Sequence, residues 1–243
     1  TVTSYEIGLK TDLLDRRLRI NLAGYVAKYK DLQLNISANA ADPSLADTFN
    51  AGKATVKGLE AEVTAIPVKG LTLQANYSYT TSKIRGVKAP AGSIFDPAVS
   101  GRPGIQVGDD ISGYFVLPFT PKHSLRLSAD MNFGEVGPGE LAFHVDYTWK
   151  DKVFTTAGNG PSVPFGREAP VNKSYGLVDA RLSYSIDRGD NQNITIGLWG
   201  KNILDKRYPG FVIGSGSILD GYFNQAISYG DPATYGVDVN FSF

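Results

Sequence analysis

Apolar and polar residues alternate with period two along most of the chain, the signature of extended strands whose two faces differ in chemistry. Between Leu71 and Tyr79, Leu71, Leu73, Ala75, Tyr77 and Tyr79 share one face, and Thr72, Gln74, Asn76 and Ser78 share the other. The same two-row pattern runs from Ser124 to Phe133, from Leu141 to Trp149 and from Tyr235 to Phe243. Weaker copies cover Tyr5–Leu13, Leu18–Val26, Leu59–Ala65, Val178–Ile186 and Ile194–Leu198. The pattern predicts nine strands, near 2–14, 18–34, 54–66, 71–85, 122–133, 140–153, 174–186, 193–204 and 234–243. No helical period of useful length appears, although short stretches inside the loops are compatible with helix.

The connections carry a second pattern. Short turns at Asp15–Arg17, Pro67–Gly70, Gly134–Gly139 and Asp187–Asn191 alternate strictly with long connections over 35–53, 86–121, 154–173 and 205–233. Four long structureless loops are unusual in a compact soluble domain. Outer-membrane barrels have this asymmetry, with short periplasmic turns and long extracellular loops. The predicted strands also exceed the usual length of about 5–6 residues. Aromatics gather at strand ends (Tyr77 and Tyr79, Tyr147 and Trp149, Phe241 and Phe243), where interfacial girdles belong. Periodicity alone leaves two architectures open, a soluble β-sandwich with its apolar rows in a core and a barrel with those rows in lipid; loop lengths, strand lengths and aromatics favour the barrel. In that reading the C-terminus is periplasmic and the polar face lines a wet lumen. Its lumen-lining residues are Glu60, Glu62, Arg126, Asp130, His144, Asp146, Asp179 and Arg181.

Nine antiparallel strands leave the first and last running the same way. An open edge in hydrocarbon strands backbone polar groups at several kcal/mol each. The sheet is therefore expected to need further strands, supplied by an upstream part of the same polypeptide.

Composition narrows the function classes without naming one. Lys+Arg and Asp+Glu balance at 24 each, so no net field attracts nucleic acid. The chain has no Cys, which excludes disulfides and thiolate metal sites. No apolar run approaches the ~20 residues of a membrane helix, a statement that leaves membrane strands untouched.

Specific segments then resemble a known family. Gly197-Leu198-Trp199-Gly200-Lys201-Asn202-Ile203-Leu204-Asp205-Lys206-Arg207-Tyr208 is similar to the penultimate-strand motif of TonB-dependent receptors, with its Asn-Leu-x-Asp-x-x-Tyr core. Tyr235 to Phe243 resembles their last strand, which ends in Phe; Gly58–Glu62 with Gly70–Tyr79 resembles a mid-barrel hairpin, and Tyr5–Lys10 and Thr120–His123 also look like the family. The resemblance implies an all-β fold: residues 1–243 as about nine C-terminal strands of an antiparallel transmembrane β-barrel of about 22 strands. It implies a plug domain, a TonB box and upstream strands outside this chain. It also implies that Tyr235, Val237, Val239, Phe241 and Phe243 form the signal read by the barrel-assembly machinery.

Groups for bond chemistry are sparse. His123 and His144 stand far apart in sequence, and one His without partners is weak evidence for catalysis or metal binding. Asp109-Asp110 lacks EF-hand spacing. Gly214-Ser215-Gly216-Ser217 lacks the strand–turn–helix setting of a nucleophile elbow, and the Gly-rich turn 134–139 has no following helix to hold phosphate. No catalytic residue, metal site or cofactor is expected. The loop aromatics Tyr114, Phe115, Phe154, Phe165, Phe211, Tyr222, Phe223 and Tyr229 are the candidate ligand-binding residues, because such rings grip a siderophore or stack on sugars; half or more of the loop aromatics serve equally well to pack loops together.

The resulting expectation is an integral outer-membrane receptor that takes up siderophore-iron, cobalamin, oligosaccharide or a similar scarce nutrient through a plugged barrel. Its partners are outer-membrane lipid, the remaining strands and plug, TonB and the assembly machinery. A passive porin-like barrel and a soluble β-sandwich binding module are the rivals.

Overall fold

The computed structural model describes residues 1–36, 47–50, 52–93, 95–100, 104–158, 171–189, 192–217 and 222–243. In chain order the strands are β1 (Val2–Leu13), β2 (Leu18–Lys30), β3 (Gln33–Ile36), β4 (Asp47–Asn50), β5 (Lys53–Val68), β6 (Leu71–Arg85), β7 (His123–Val136), β8 (Gly139–Lys150), β9 (Val153–Phe154), β10 (Val171–Asn172), β11 (Tyr175–Gly189), β12 (Gln192–Lys201), β13 (Pro209–Ser217), β14 (Tyr222–Tyr229) and β15 (Thr234–Ser242). One helical turn, Pro97–Ser100, and one 3₁₀ turn, Ser112–Tyr114, lie in the longest loop.

Nine of these strands form one antiparallel sheet in the order β1-β2-β5-β6-β7-β8-β11-β12-β15, each next to its neighbour in the chain pattern. The sheet is open: β1 and β15 each have one partner. These are the nine strands the alternation predicts, with shifted ends. Asp31, at φ 56°, stops β2 at Lys30 rather than residue 34, and Asn202, at φ 48°, stops β12 at Lys201 rather than residue 204. At the short-turn end β5, β7 and β11 run further than expected, because bulges at Ala65/Val68, Asn132/Gly134 and Asp187/Gly189 absorb register changes and keep pairing alive. The expectation that the long connections lack structure needs correcting: three of them carry the small hairpins β3–β4, β9–β10 and β13–β14. These pieces are short or Gly/Ser-rich, so alternation is weak there.

The register settles which side chains share a face. Leu9, Leu22, Ala61, Tyr77, Leu125 and Trp149 are successive cross-strand partners, as are Lys10, Asn21, Glu62, Asn76, Arg126 and Thr148 one residue away. The first row belongs to a continuous apolar face and the second to a polar one. No second layer covers the apolar face among the described residues: Ile7 is 81% exposed and Phe241 67%. A sandwich would bury these rows, so the soluble alternative fails here.

Close aromatic–glycine contacts bind neighbouring strands on the polar face. Tyr25 lies over its partner Gly58, where a Cβ would come within 2.4 Å of the ring, and its hydroxyl reaches Thr80 Oγ1 at 3.2 Å on the next strand. Trp199 covers its partner Gly236 in the same way.

The buried hydrophobic cluster sits at the long-loop end. Ala54 and Ile84, from the polar-face rows of β5 and β6, meet Val87, Phe95, Ile111 and Phe115 of the loop that follows β6. That loop folds back over the polar face instead of extending away from it.

Candidate functional site

The polar face carries charged and polar side chains, several of them paired. Arg126 Nε donates to Asp146 on the adjacent strand, and His144 Nδ1 lies 2.7 Å from Asp130 Oδ1. Asn21 Nδ2 donates to Glu62 Oε2 at 3.1 Å. Arg181 grips Asp238 in a two-pronged contact, Nη1 to Oδ1 at 2.7 Å and Nη2 to Oδ2 at 2.8 Å, while Asn240 Nδ2 donates to the same carboxylate. This contact crosses a whole strand, from β11 over β12 to β15. It is open because Gly197 lies beneath it: a Cβ there would stand 2.1 Å from Arg181 Nη2. These contacts run between neighbouring strands or, for Arg181, across one strand to the next, and so tie the polar side chains of this face to one another.

All eight residues expected to line a lumen, namely Glu60, Glu62, Arg126, Asp130, His144, Asp146, Asp179 and Arg181, fall on this one face by register. Glu60, Glu62, Asn76, Ser78, Arg126 and Thr148 contribute to a groove of about 470 Å³ along it. His123 is on the opposite, apolar face, with Tyr77 Oη 2.7 Å from its Nδ1 and the Tyr79 ring 5.1 Å away. The two histidines therefore face opposite sides of the sheet. Among the described residues no cluster of His, Cys, Asp or Glu has the makings of a metal site.

Asp179 has a structural task. Its Oδ1 accepts from the backbone N–H of Asn202 at 2.8 Å. Asn202 is buried, and its side-chain amide donates to the carbonyls of Lys206 and Asp231, both at 3.0 Å, while its Oδ1 accepts from Lys206 N–H. Asp205 Oδ1 caps Ala233 N–H, and the Tyr235 hydroxyl donates to the Ile203 carbonyl. Tyr208 stacks on Tyr175 at 4.5 Å. The Asn-Ile-Leu-Asp-Lys-Arg-Tyr segment is thus a turn that ties β11, β12 and the entry to β15 together. Asn suits the corner because it tolerates a left-handed backbone and supplies both donors and an acceptor.

The loop aromatics divide. Phe115 is buried beside Phe95, and Tyr114 packs edge-on against Phe95 at 5.7 Å. Phe115 is therefore committed to the loop core and offers no surface to a ligand, which corrects its place among the candidates. Phe154 is half-buried with Lys152 Nζ 5.9 Å above its ring, Phe211 is stacked on Phe119, and Tyr229 carries the Arg207 guanidinium at 4.0 Å. Phe211 and Tyr229 remain exposed. Phe165 lies outside the described residues; Tyr222 and Phe223 lie on β14, with side chains outside them. Backbone bonds join the loops, with Val116 N–H to Ala157 O and Phe119 N–H to Phe154 O, both at 2.8 Å. At Asp110, hydrogen bonds from the Ser112 hydroxyl and N–H hold the carboxyl below its ordinary range.

An all-antiparallel open sheet with one bare apolar face, one ion-paired face and long loops at one end only is the geometry of a barrel wall. The family model described as "TonB dependent receptor-like, beta-barrel" matches residues 1–203. The chain belongs to the TonB-dependent receptors. The ferric-pyoverdine M114 receptor PbuA of Pseudomonas sp. is 27% identical over 243 residues, 99% of this chain and 24% of that receptor. The ferripyoverdine receptor of Pseudomonas aeruginosa is 26% identical over 94% of this chain and 23% of its own length. This receptor chain thus spans about a quarter of the length of the curated relatives it matches. Among solved structures, the ferric yersiniabactin uptake receptor FyuA from Yersinia pestis covers the whole chain at a TM-score of 0.63 and 18% identity, with the chain covering 30% of it, and so supports the fold. These relatives are transport receptors.

Proposed function

We propose that this receptor chain is the C-terminal part of the wall of an energised outer-membrane transporter, and that the cargo is a ferric siderophore. The two curated relatives given above are named as ferric-pyoverdine receptors, and this supports the ferric-siderophore class over cobalamin or oligosaccharide. The observation that carries the reading is the contrast between the faces: the apolar face is bare, whereas the opposite face is polar and carries ion pairs between strands. Hydrocarbon suits the first, and an enclosed aqueous space holding a plug suits the second.

In this assignment the long loops lie outside the cell and the chain ends on the periplasmic side. Exposed Phe211 and Tyr229 then present apolar surface to a ligand above the barrel. Upstream strands and a plug complete the wall, TonB supplies the work, and the barrel performs no bond chemistry. The last strand, with Tyr235, Val237, Val239, Phe241 and Phe243 on its exposed apolar edge, is the assembly signal.

Deletion of the gene in an iron-starved host, with uptake of labelled ferric pyoverdine measured before and after collapse of the proton gradient, tests the reading. Gene-dependent uptake that stops when the gradient collapses supports it. Gene-dependent uptake that continues without energy would replace it with a passive barrel, and no gene-dependent uptake would remove this siderophore class.

A further inference from the structure

On the apolar face of the nine-stranded sheet, cations collect only near the long-loop end, and there they stand side by side. The register makes Lys30, Lys53 and Arg85 direct cross-strand partners on β2, β5 and β6. One step toward the middle, Lys28 and Lys83 flank Thr55, and one step further comes Lys57 beside Thr81. All six side chains are exposed, and no Asp or Glu occupies this face on the nine strands. Like charges directly opposite across strands repel. On the other face the chain solves this problem with carboxylate partners, as at Arg126 and Arg181. Among the described residues the six cations have none. Lys28 is over the Tyr5 ring; Lys30, Lys53, Lys57, Lys83 and Arg85 are left to an outside anion.

Position and shape say which anion. Tyr79 is partnered with Leu59, and the cationic rows start two residues beyond it and continue for three rows, each about 7 Å along the strand. An aromatic girdle marks the interface, so these rows stand at headgroup height. Thr55, Lys57, Thr81, Lys83 and Arg85 line a pocket of about 230 Å³ there. Below the girdle, apolar side chains on β5, β6 and the neighbouring strands (Val63, Ala65, Leu73, Ala75, Leu127, Ala129) line a groove of about 500 Å³. A cationic pocket above an apolar groove is complementary to a lipid with phosphate at its head and acyl chains below.

We propose that the outward face of β2, β5 and β6 binds a phosphorylated glycolipid of the outer leaflet. Arg85 takes a phosphate through its planar guanidinium, Lys53 and Lys83 neutralise it as point charges, and an acyl chain lies in the groove. The inference rests on the orientation proposed above, with the long loops outside the cell.

The test uses the intact barrel polypeptide that carries this chain, purified in detergent, with lipid A as the probe. Bound lipid is counted by native mass spectrometry for wild type, for the triple variant Lys53→Gln/Lys83→Gln/Arg85→Gln, and for the control Lys69→Gln at the opposite end of the sheet. Removing three surface cations weakens lipid A binding about a hundredfold, while the control matches wild type. Dephosphorylated lipid A loses binding to wild type by a similar factor. Equal retention by wild type and triple variant overturns the proposal, as does equal binding of phosphorylated and dephosphorylated lipid A. Labelling of Lys83→Cys in cells with a membrane-impermeant reagent separates the two readings. Labelling from outside together with unchanged lipid A retention refutes the lipid site alone, whereas labelling only from the periplasm refutes the orientation and the lipid site together.

Discussion

Two of the long connections are held in place by opposite means. The loop after β6 is held by packing: Phe95, Ile111 and Phe115 are buried against Ala54 and Ile84 of the wall. The connection after β12 is anchored by one buried amide, Asn202, whose bonds reach Asp179, Lys206 and Asp231. The first solution tolerates changes that conserve volume and fails when volume is lost. The second ignores volume and depends on donor and acceptor positions. A receptor loop of the first kind can vary its surface freely, whereas one of the second kind keeps its anchor residue and its left-handed corner.

The largest expected effect is on the packed loop. Phe95 is 1% exposed, so Phe95→Ala leaves a cavity and costs about 3–5 kcal/mol of loop stability. Hydrogen exchange at the amides of Val87, Ala89 and Ile111, which are bonded across the loop, should accelerate while strand amides stay protected. Unchanged exchange there would show that the loop does not rely on its core. The anchored turn responds next. Asn202→Gly keeps a backbone at ease with φ 48° but removes three side-chain bonds, and should cost about 2 kcal/mol. Exchange at Lys206 should rise in this variant and not in Phe95→Ala; if both variants loosen both loops, the two are one cooperative unit and the contrast fails. The smallest effect is acid-dependent. The folded carboxyl of Asp110 titrates below its unfolded value, so its contribution is complete above the unfolded pKa, about 3.9, and is lost as pH falls through the folded one. Protease resistance of the loop between Val87 and Ser112 should decline in that acid range, and Asp110→Asn should flatten the decline.

Much of this was legible in the sequence, and the rest was hidden for identifiable reasons. Period-two alternation marked all nine sheet strands because each has one continuous apolar row, and such a row survives errors of a few residues at its ends. The ends were hidden where a single residue departs from extended backbone, as Asp31 and Asn202 do. The Asn-Ile-Leu-Asp-Lys-Arg-Tyr segment was visible as a resemblance, but its wiring depends on Asp179 and Asp231, over twenty residues away on either side. Phe115 looked like a ligand contact because a loop sequence carries no periodicity from which burial can be read. The cationic ladder is carried by phase: Lys28-x-Lys30, Lys53-x-Thr55-x-Lys57 and Lys83-x-Arg85 continue the alternation of the apolar rows, which sets them on that face.

The rings lying over Gly58 and Gly236, and the guanidinium crossing Gly197, also bear on how the wall is put together. Each is a key that fits one slot. Sliding β5 past β2 by two residues would bring Val56 or Glu60 under the Tyr25 ring in place of bare backbone, and sliding β15 past β12 would bring Asp238 or Thr234 under Trp199. Such keys occur at β2/β5, β11/β12 and β12/β15, so a strand paired out of register meets a collision with its immediate neighbour. Correct alignment is then decided pair by pair, without reference to the sheet as a whole.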